Sequence, residues 1–157
     1  GGDEYSFRVA PEGWIQTDQV QLAGGEPVWF GAARTPGWNQ IDFEQIAAWD
    51  PEVVIFVSYR TDPTEPLRRV RENELWGGLQ AVQNDRIYAM PSDYYNWGQP
   101  DSRWILGAEW IAYALHAELF DSPFEQRVRA FFGDFYGFSD AEYDRVIAPQ
   151  LSGELFD

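Results

Sequence analysis

The chain has 157 residues, no cysteine, and a net charge of -15 from 26 acidic and 11 basic side chains. That length suits one compact domain with a substantial core. The charge repels phosphate backbones, so nucleic acid and anionic membrane surfaces are poor partners. The missing cysteines exclude disulfides, thiolate metal sites and a cysteine nucleophile. Every basic residue is Arg, and an acidic, lysine-free surface suits a salty medium, where repulsion is screened. Aromatics make up 17% of the chain, enough to make an aromatic binding surface a reasonable expectation.

Residues 5–10, "YSFRVA", alternate and stop before Pro11, which predicts a strand. Residues 13–25 predict a short helix stopped by Gly24 and Gly25. "PVWF" (27–30) reads as a short apolar strand, followed by the loop 31–40. Asp42 and Gln45 have capping-box spacing at the start of "DFEQIAAW". "EVVIFV" (52–57) is a β-branched run, as expected of a strand buried on both faces. A helix over 67–76, closed by Gly77 and Gly78, leads to a strand over 85–90. The apolar spacing of 102–120 predicts the longest helix. Ser122, Pro123 and Glu125 then announce another helix, and Ser139 with Glu142 a last one.

Strands alternating with helices, without hairpin dipeptides, predict an α/β fold. The expected architecture is a three-layer αβα, Rossmann-like arrangement, with a mainly parallel sheet of about four strands flanked by helices. With no linker or repeat, residues 1–157 read as a single lobe, and the opening "GGDEYSF" reads as the start of an excised domain. No apolar run approaches the roughly 18 residues needed to span a bilayer.

Ligands of open α/β sheets bind outside the carboxyl ends of the strands. The predicted strands put three loops there, carrying Arg34 and Trp38, then Tyr59 and Arg60, then Tyr94, Tyr95 and Trp97. Trp and Tyr offer large, stiff contact area, and Arg a planar fork for oxyanions. Together they suit a bulky anionic or aromatic ligand. Each has a structural alternative. Trp38 and Trp97 divide evenly between ligand contact and packing on a helix. Only one of the adjacent Tyr94 and Tyr95 is expected to face the crevice. Arg60 has Asp62 within reach as an ion-pair partner. His116, the single histidine, sits in a helical segment and reads as structural, so no metal cluster or Ser/His catalytic arrangement is expected.

The segments "LAGGEPVW", "IDFEQIAAWDPEVVIFV", "WGGLQAVQNDRIYAMP" and "WGQPDSRWILGAEWIAYALHAELF", in this order and spacing, resemble the C-terminal lobe of class III periplasmic substrate-binding proteins. The resemblance runs from about residue 5 to 150, and departs from the family mainly in presenting one lobe. It implies a non-enzymatic component of an ABC import system for iron–siderophores, haem, cobalamin or related metal chelates and oxyanions. It further implies a missing N-terminal lobe and linker helix, and a periplasmic or extracellular location, lipid-anchored or not. No resident cofactor is implied. Docking on the permease would use one acidic side chain per lobe, and Glu65 and Asp101 are the candidates here. The rival readings are an α/β enzyme or a carbohydrate-binding domain, which would need a deep pocket beside the rings. A protein-interaction domain would instead show a flat apolar patch.

Overall fold

The computed structural model describes residues 7–32 and 34–156. Its parallel pair is β3 (Val54–Phe56) against β4 (Ile87–Ala89), in the register Val54–Ile87, Ile55–Tyr88 and Phe56–Ala89. The side chains of this pair alternate between two cores. Val54, Phe56, Ile87 and Ala89 pack with Leu67, Val70 and Trp76 of one core. Ile55 and Tyr88 pack against the other, built on Trp97, Trp110, Phe124 and Phe131. A parallel pair covered on both faces is what its near-continuous apolar sequence demands. Burying each Phe ring of these cores contributes about 1.5–3 kcal/mol.

The mixed α/β class therefore holds, but the strands of the described residues form two separate two-stranded sheets, not one mainly parallel sheet of about four. The second pair, β1 (Phe7–Val9) with β2 (Asn39–Ile41), is antiparallel. Tyr5 and Ser6 of the first expected strand lie outside the described residues. The expected strand over 27–30 is a run of turns, with Phe30 N–H donating to Pro27 O and Ala32 N–H to Trp29 O. The Trp29 indole donates to Ala10 O at 2.8 Å, tying the turns back to the end of β1.

Helix ends follow local chemistry. Helix α1 (Ile15–Leu22) stops in a Schellman motif: Gly25 N–H donates to Val20 O, and Gly24 N–H to Gln21 O. Gly24 has φ +81°, a conformation glycine adopts without strain. In α2 (Phe43–Trp49), Asp42 accepts from Gln45 N–H at 2.9 Å. The helix expected over 67–76 is α3 (Thr64–Arg71), started earlier because Asp62 accepts from both the N–H and the hydroxyl of Thr64. A 3₁₀ turn at Trp76–Gly78 and the short α4 (Gln80–Gln83) lead to β4.

Helix α5 (Trp104–Leu115) is one residue shorter than α6 (Phe124–Tyr136), which is the longer of the two. Ser122 does not cap α6. Phe124 N–H donates instead to Phe156 O at 2.9 Å, so the C-terminal segment supplies the acceptor. The capping box of α7 (Asp140–Val146) is present, with Ser139 and Glu142 bonding reciprocally. The C-terminal segment continues along β4. Ser152 and Ser92 exchange backbone bonds, Glu154 N–H reaches Ala89 O, and the Trp110 indole donates to Glu154 O. A Cβ at Gly153 would lie 2.6 Å from Pro91 Cα, which fixes glycine there.

Candidate functional site

The carboxyl ends of β3 and β4 share one edge because the two strands are parallel. Antiparallel pairing of Val9 with Asn39 brings two further segments together: the loop that leaves β1 and the loop that enters β2. Trp14 belongs to the first and Trp38 to the second. Their rings meet edge to face, with centroids 5.6 Å apart. Trp38 meets Tyr59, from the loop after β3, at 6.1 Å in the same manner. All three rings stay about a third or more exposed: Trp14 36%, Trp38 38% and Tyr59 40%. Half-exposed rings in mutual contact form a ready-made apolar wall with polar tips.

Beneath this wall lies a hydrogen-bonded layer. Gln16 Nε2 donates to Tyr59 Oη at 3.2 Å and to Gly98 O at 2.8 Å. Asn96 Nδ2 donates to Ser58 O at 2.7 Å, while its Oδ1 accepts from Gly98 N–H at 2.7 Å. Burial pushes the Tyr59 hydroxyl above its ordinary pKa, and the bond from Gln16 opposes that rise. Arg34 and Arg60, in the loops that carry Trp38 and Tyr59, are exposed, and neither has an ion-pair partner among the described residues. No ion pair joins Asp62 to Arg60 among the described residues; Asp62 Oδ1 accepts instead from the N–H and the hydroxyl of Thr64.

The third predicted loop divides. Tyr94 and Tyr95 are 59% and 53% exposed, so both rings face solvent. Tyr94 Oη donates to Val146 O at 3.3 Å, and the Arg103 guanidinium lies 5.0 Å from the Tyr95 ring centre. Among the described residues, no ring pair joins them to Trp38 or Tyr59. Trp97 is completely buried and cannot touch a ligand, which corrects its assignment as a contact residue. Its indole donates to Asp93 Oδ2 at 3.2 Å, its ring packs on Phe124, and its carbonyl accepts from Gln19. Asp93 lies in the same loop, but Gln19 and Phe124 come from distant segments, so the short stretch itself did not disclose the burial. Trp14 is the residue that sequence reading missed. The strand-end rule already covered it, since it follows the first strand directly.

The two docking candidates are both engaged. Glu65 forms an ion pair with Arg69 one turn along α3. Asp101 accepts from Arg103 N–H at 2.8 Å at the entrance to α5. A depression of about 710 Å³ runs along α3, lined by Asp62, Glu65, Arg68, Arg71, Glu72 and Glu154 and by none of the wall's rings. The acids whose pKa departs from the ordinary range, Asp62 and Glu142, are lowered by hydrogen bonds from Thr64 and Ser139.

The edge beyond the strands thus carries three half-exposed rings in contact, and two of their loops also carry the exposed Arg34 and Arg60. The chain belongs to the periplasmic binding protein family, whose profile matches residues 2–94. It is 28% identical over 107 residues to the molybdate-binding protein MolA of Haemophilus influenzae, covering 67% of this chain and 30% of that protein. Among solved structures it is similar to an ABC transporter solute binding protein from Sulfurospirillum deleyianum, with TM-score 0.69 and 30% identity over 88% of this chain and 43% of that one. It is also similar to molybdate-bound MolA, with TM-score 0.65 and 25% identity over 84% of this chain and 40% of that one. The nickel-bound CeuE of Helicobacter pylori, 19% identical with TM-score 0.67 over 89% of this chain and 44% of that one, shares the fold. The chain thus spans less than half the length of each of these relatives.

Proposed function

We propose that this chain is one lobe of the two-lobe substrate-binding component of an ABC import system. Its rim takes a bulky anionic guest, a metal chelate or oxyanion, and the component hands that guest to a membrane permease. The finer reading is a chelate of the iron–siderophore, haem or cobalamin type. The observation that carries the proposal is the wall of Trp14, Trp38 and Tyr59, two of whose loops also carry the exposed Arg34 and Arg60. Among the described residues, Arg34 and Arg60 are exposed and without an ion-pair partner, so their guanidiniums are available to an anion. They suit an anion held against the rings, where each charge-assisted bond is stronger than a neutral one. A cleft closed by a second lobe would supply the burial that one wall lacks. The role is binding without chemistry, in a periplasmic or extracellular setting.

For the permease, Glu65 is the better of the two docking candidates. Its pairing with Arg69 is a solvent-screened bridge that a competing arginine can replace. The Asp101 carboxylate is tied to the start of α5 and is less free to leave it.

The test uses the protein in which this lobe is joined to its partner lobe. Its unfolding temperature is followed with molybdate, a ferric siderophore, haem and cobalamin. A rise of several degrees with one class, weakened in Arg34→Ala and Arg60→Ala, is the expected result. No response to any of the four overturns the binding reading and favours a protein-interaction domain.

A further inference from the structure

Three separate segments converge on Gly98: the first turn of α1 through Gln16, the loop after β3 through Ser58 and Tyr59, and the loop after β4 through Asn96. Gly98 N–H donates to Asn96 Oδ1, and Gly98 O accepts from Gln16 Nε2. Asn96 then reaches Ser58 O, and Gln16 reaches Tyr59 Oη. We infer that Gln16, Asn96 and Gly98 form a clip of positioning residues that holds the Tyr59 hydroxyl at the rim, ready to donate to an oxygen atom of the guest. This deepens the binding reading and rests on it.

Four observations support a positioning role beyond general folding. Tyr59 is 40% exposed, so its ring does not need these bonds in order to be buried. Gln16 keeps its Oε1 buried with no hydrogen-bond partner. An apolar side chain of equal length would carry no such penalty, so the position is held by what Nε2 does. Gly98 is closely packed by the same groups: a Cβ would sit a tight 3.0 Å from Asn96 Oδ1, and in ordinary contact with Val57 Cγ1 at 3.4 Å and Tyr59 Oη at 3.6 Å. Finally, the Tyr59 proton is poorly used inside the chain. Its acceptor is Gly98 O at 3.5 Å, which already accepts from Gln16 at 2.8 Å. A hydroxyl that accepts one good bond and donates only a long one is a donor in waiting.

The clip also explains the segment 90–104. Its turn formers Asn96 and Gly98 are buried because they link the edge loops, and its Trp97 anchors that link in the core.

The experiment compares Gln16→Met and Asn96→Asp with wild type in the intact two-lobe protein. Gln16→Met removes both Nε2 bonds and the unpaired oxygen at constant length. Asn96→Asp keeps the acceptor for Gly98 N–H but loses the donor to Ser58 O. The Tyr59 titration is read from the Cζ resonance of ¹³C-tyrosine-labelled protein, and affinity is measured for sodium molybdate and a ferric catecholate. Gln16→Met is expected to move the Tyr59 titration upward, because the bond that stabilises the phenolate is gone. Affinity for whichever probe wild type binds should fall about five- to tenfold, with the unfolding midpoint maintained. Asn96→Asp should weaken the same probe, and it decides the matter if Gln16→Met does not fold. An unchanged Tyr59 titration in Gln16→Met, or unchanged affinity in both variants, overturns the clip. If wild type binds neither probe, the binding reading loses support, while the titration alone decides whether the clip stands.

Discussion

Arg103 Nε lies 3.3 Å from Asp93 Oδ2, and the Asp93 side chain is wholly out of water. The same carboxylate accepts from the Trp97 indole and, through Oδ1, from Tyr95 N–H. On the other side, the guanidinium lies 5.0–5.3 Å from the ring centres of Tyr95, Phe132 and Tyr136. A buried pair of this kind is expensive to break from one side, because the surviving charge is stranded. Asp93→Ala is expected to lower unfolding free energy by about 3 kcal/mol or more, measured by urea denaturation. A loss below 1 kcal/mol would mean that water reaches Arg103.

Helices α1 and α5 approach closely around Gln19. Its Nε2 donates to the carbonyls of Trp97 at 2.8 Å and Trp104 at 2.9 Å. A Cβ at Gly107 would lie 2.3 Å from Gln19 Nε2 and from Trp97 O. Alanine, normally the better helix former, is therefore expected to destabilise here by more than about 2 kcal/mol. Thermal unfolding of Gly107→Ala checks it, and a gain in stability would contradict the packing.

Tyr143 makes a case in the opposite direction. Its hydroxyl is buried with no hydrogen-bond partner, and burial pushes its pKa up to about 12 from the ordinary 10.0. The raised value means that the folded state favours the neutral phenol. That stability is fully present below pH 10.0 and is lost as pH rises towards about 12. Tyr143→Phe discards an unsatisfied oxygen and no bond, so stability at neutral pH should hold or rise by up to about 1 kcal/mol. Its unfolding curve should also fall less steeply with pH in the alkaline window. A clear loss of stability at neutral pH would show that the hydroxyl has a partner.

Two tryptophans of similar size should respond in opposite ways. Trp97 is completely buried, and Trp97→Ala is expected to cost about 3–5 kcal/mol of stability. Trp38, 38% exposed, should cost far less when truncated, yet Trp38→Ala and Trp14→Ala should each weaken guest binding about tenfold. Paired unfolding and titration experiments separate the two. Equal stability losses for Trp38 and Trp97 would remove Trp38 from the rim.

What the sequence disclosed follows from how local each determinant is. Gly24 and Gly25, or Ser139 with Glu142, act within one turn, so those helix ends were readable directly. The run 52–57 announced a buried strand because both its faces are apolar. Strand β2, "NQI", was illegible, since nothing in three mixed residues specifies pairing with Phe7–Val9. The edge that gathers Trp38 and Tyr59 is assembled differently from the expectation. Trp38 reaches it by preceding an antiparallel strand rather than by following a parallel one. Trp97 misled because its burial depends on Gln19 and Phe124, whose convergence only the folded chain reveals.

The last few residues behave as a strap, with backbone bonds to Ala89 and Ser92 and an acceptor for Trp110 and for the start of α6. Any engineered version that trims the chain before Leu151 would bare the flank of β4 and leave the Trp110 indole without its acceptor. Affinity tags and fluorescent fusions should therefore be joined beyond Phe156 through a flexible spacer, never in place of residues 152–156.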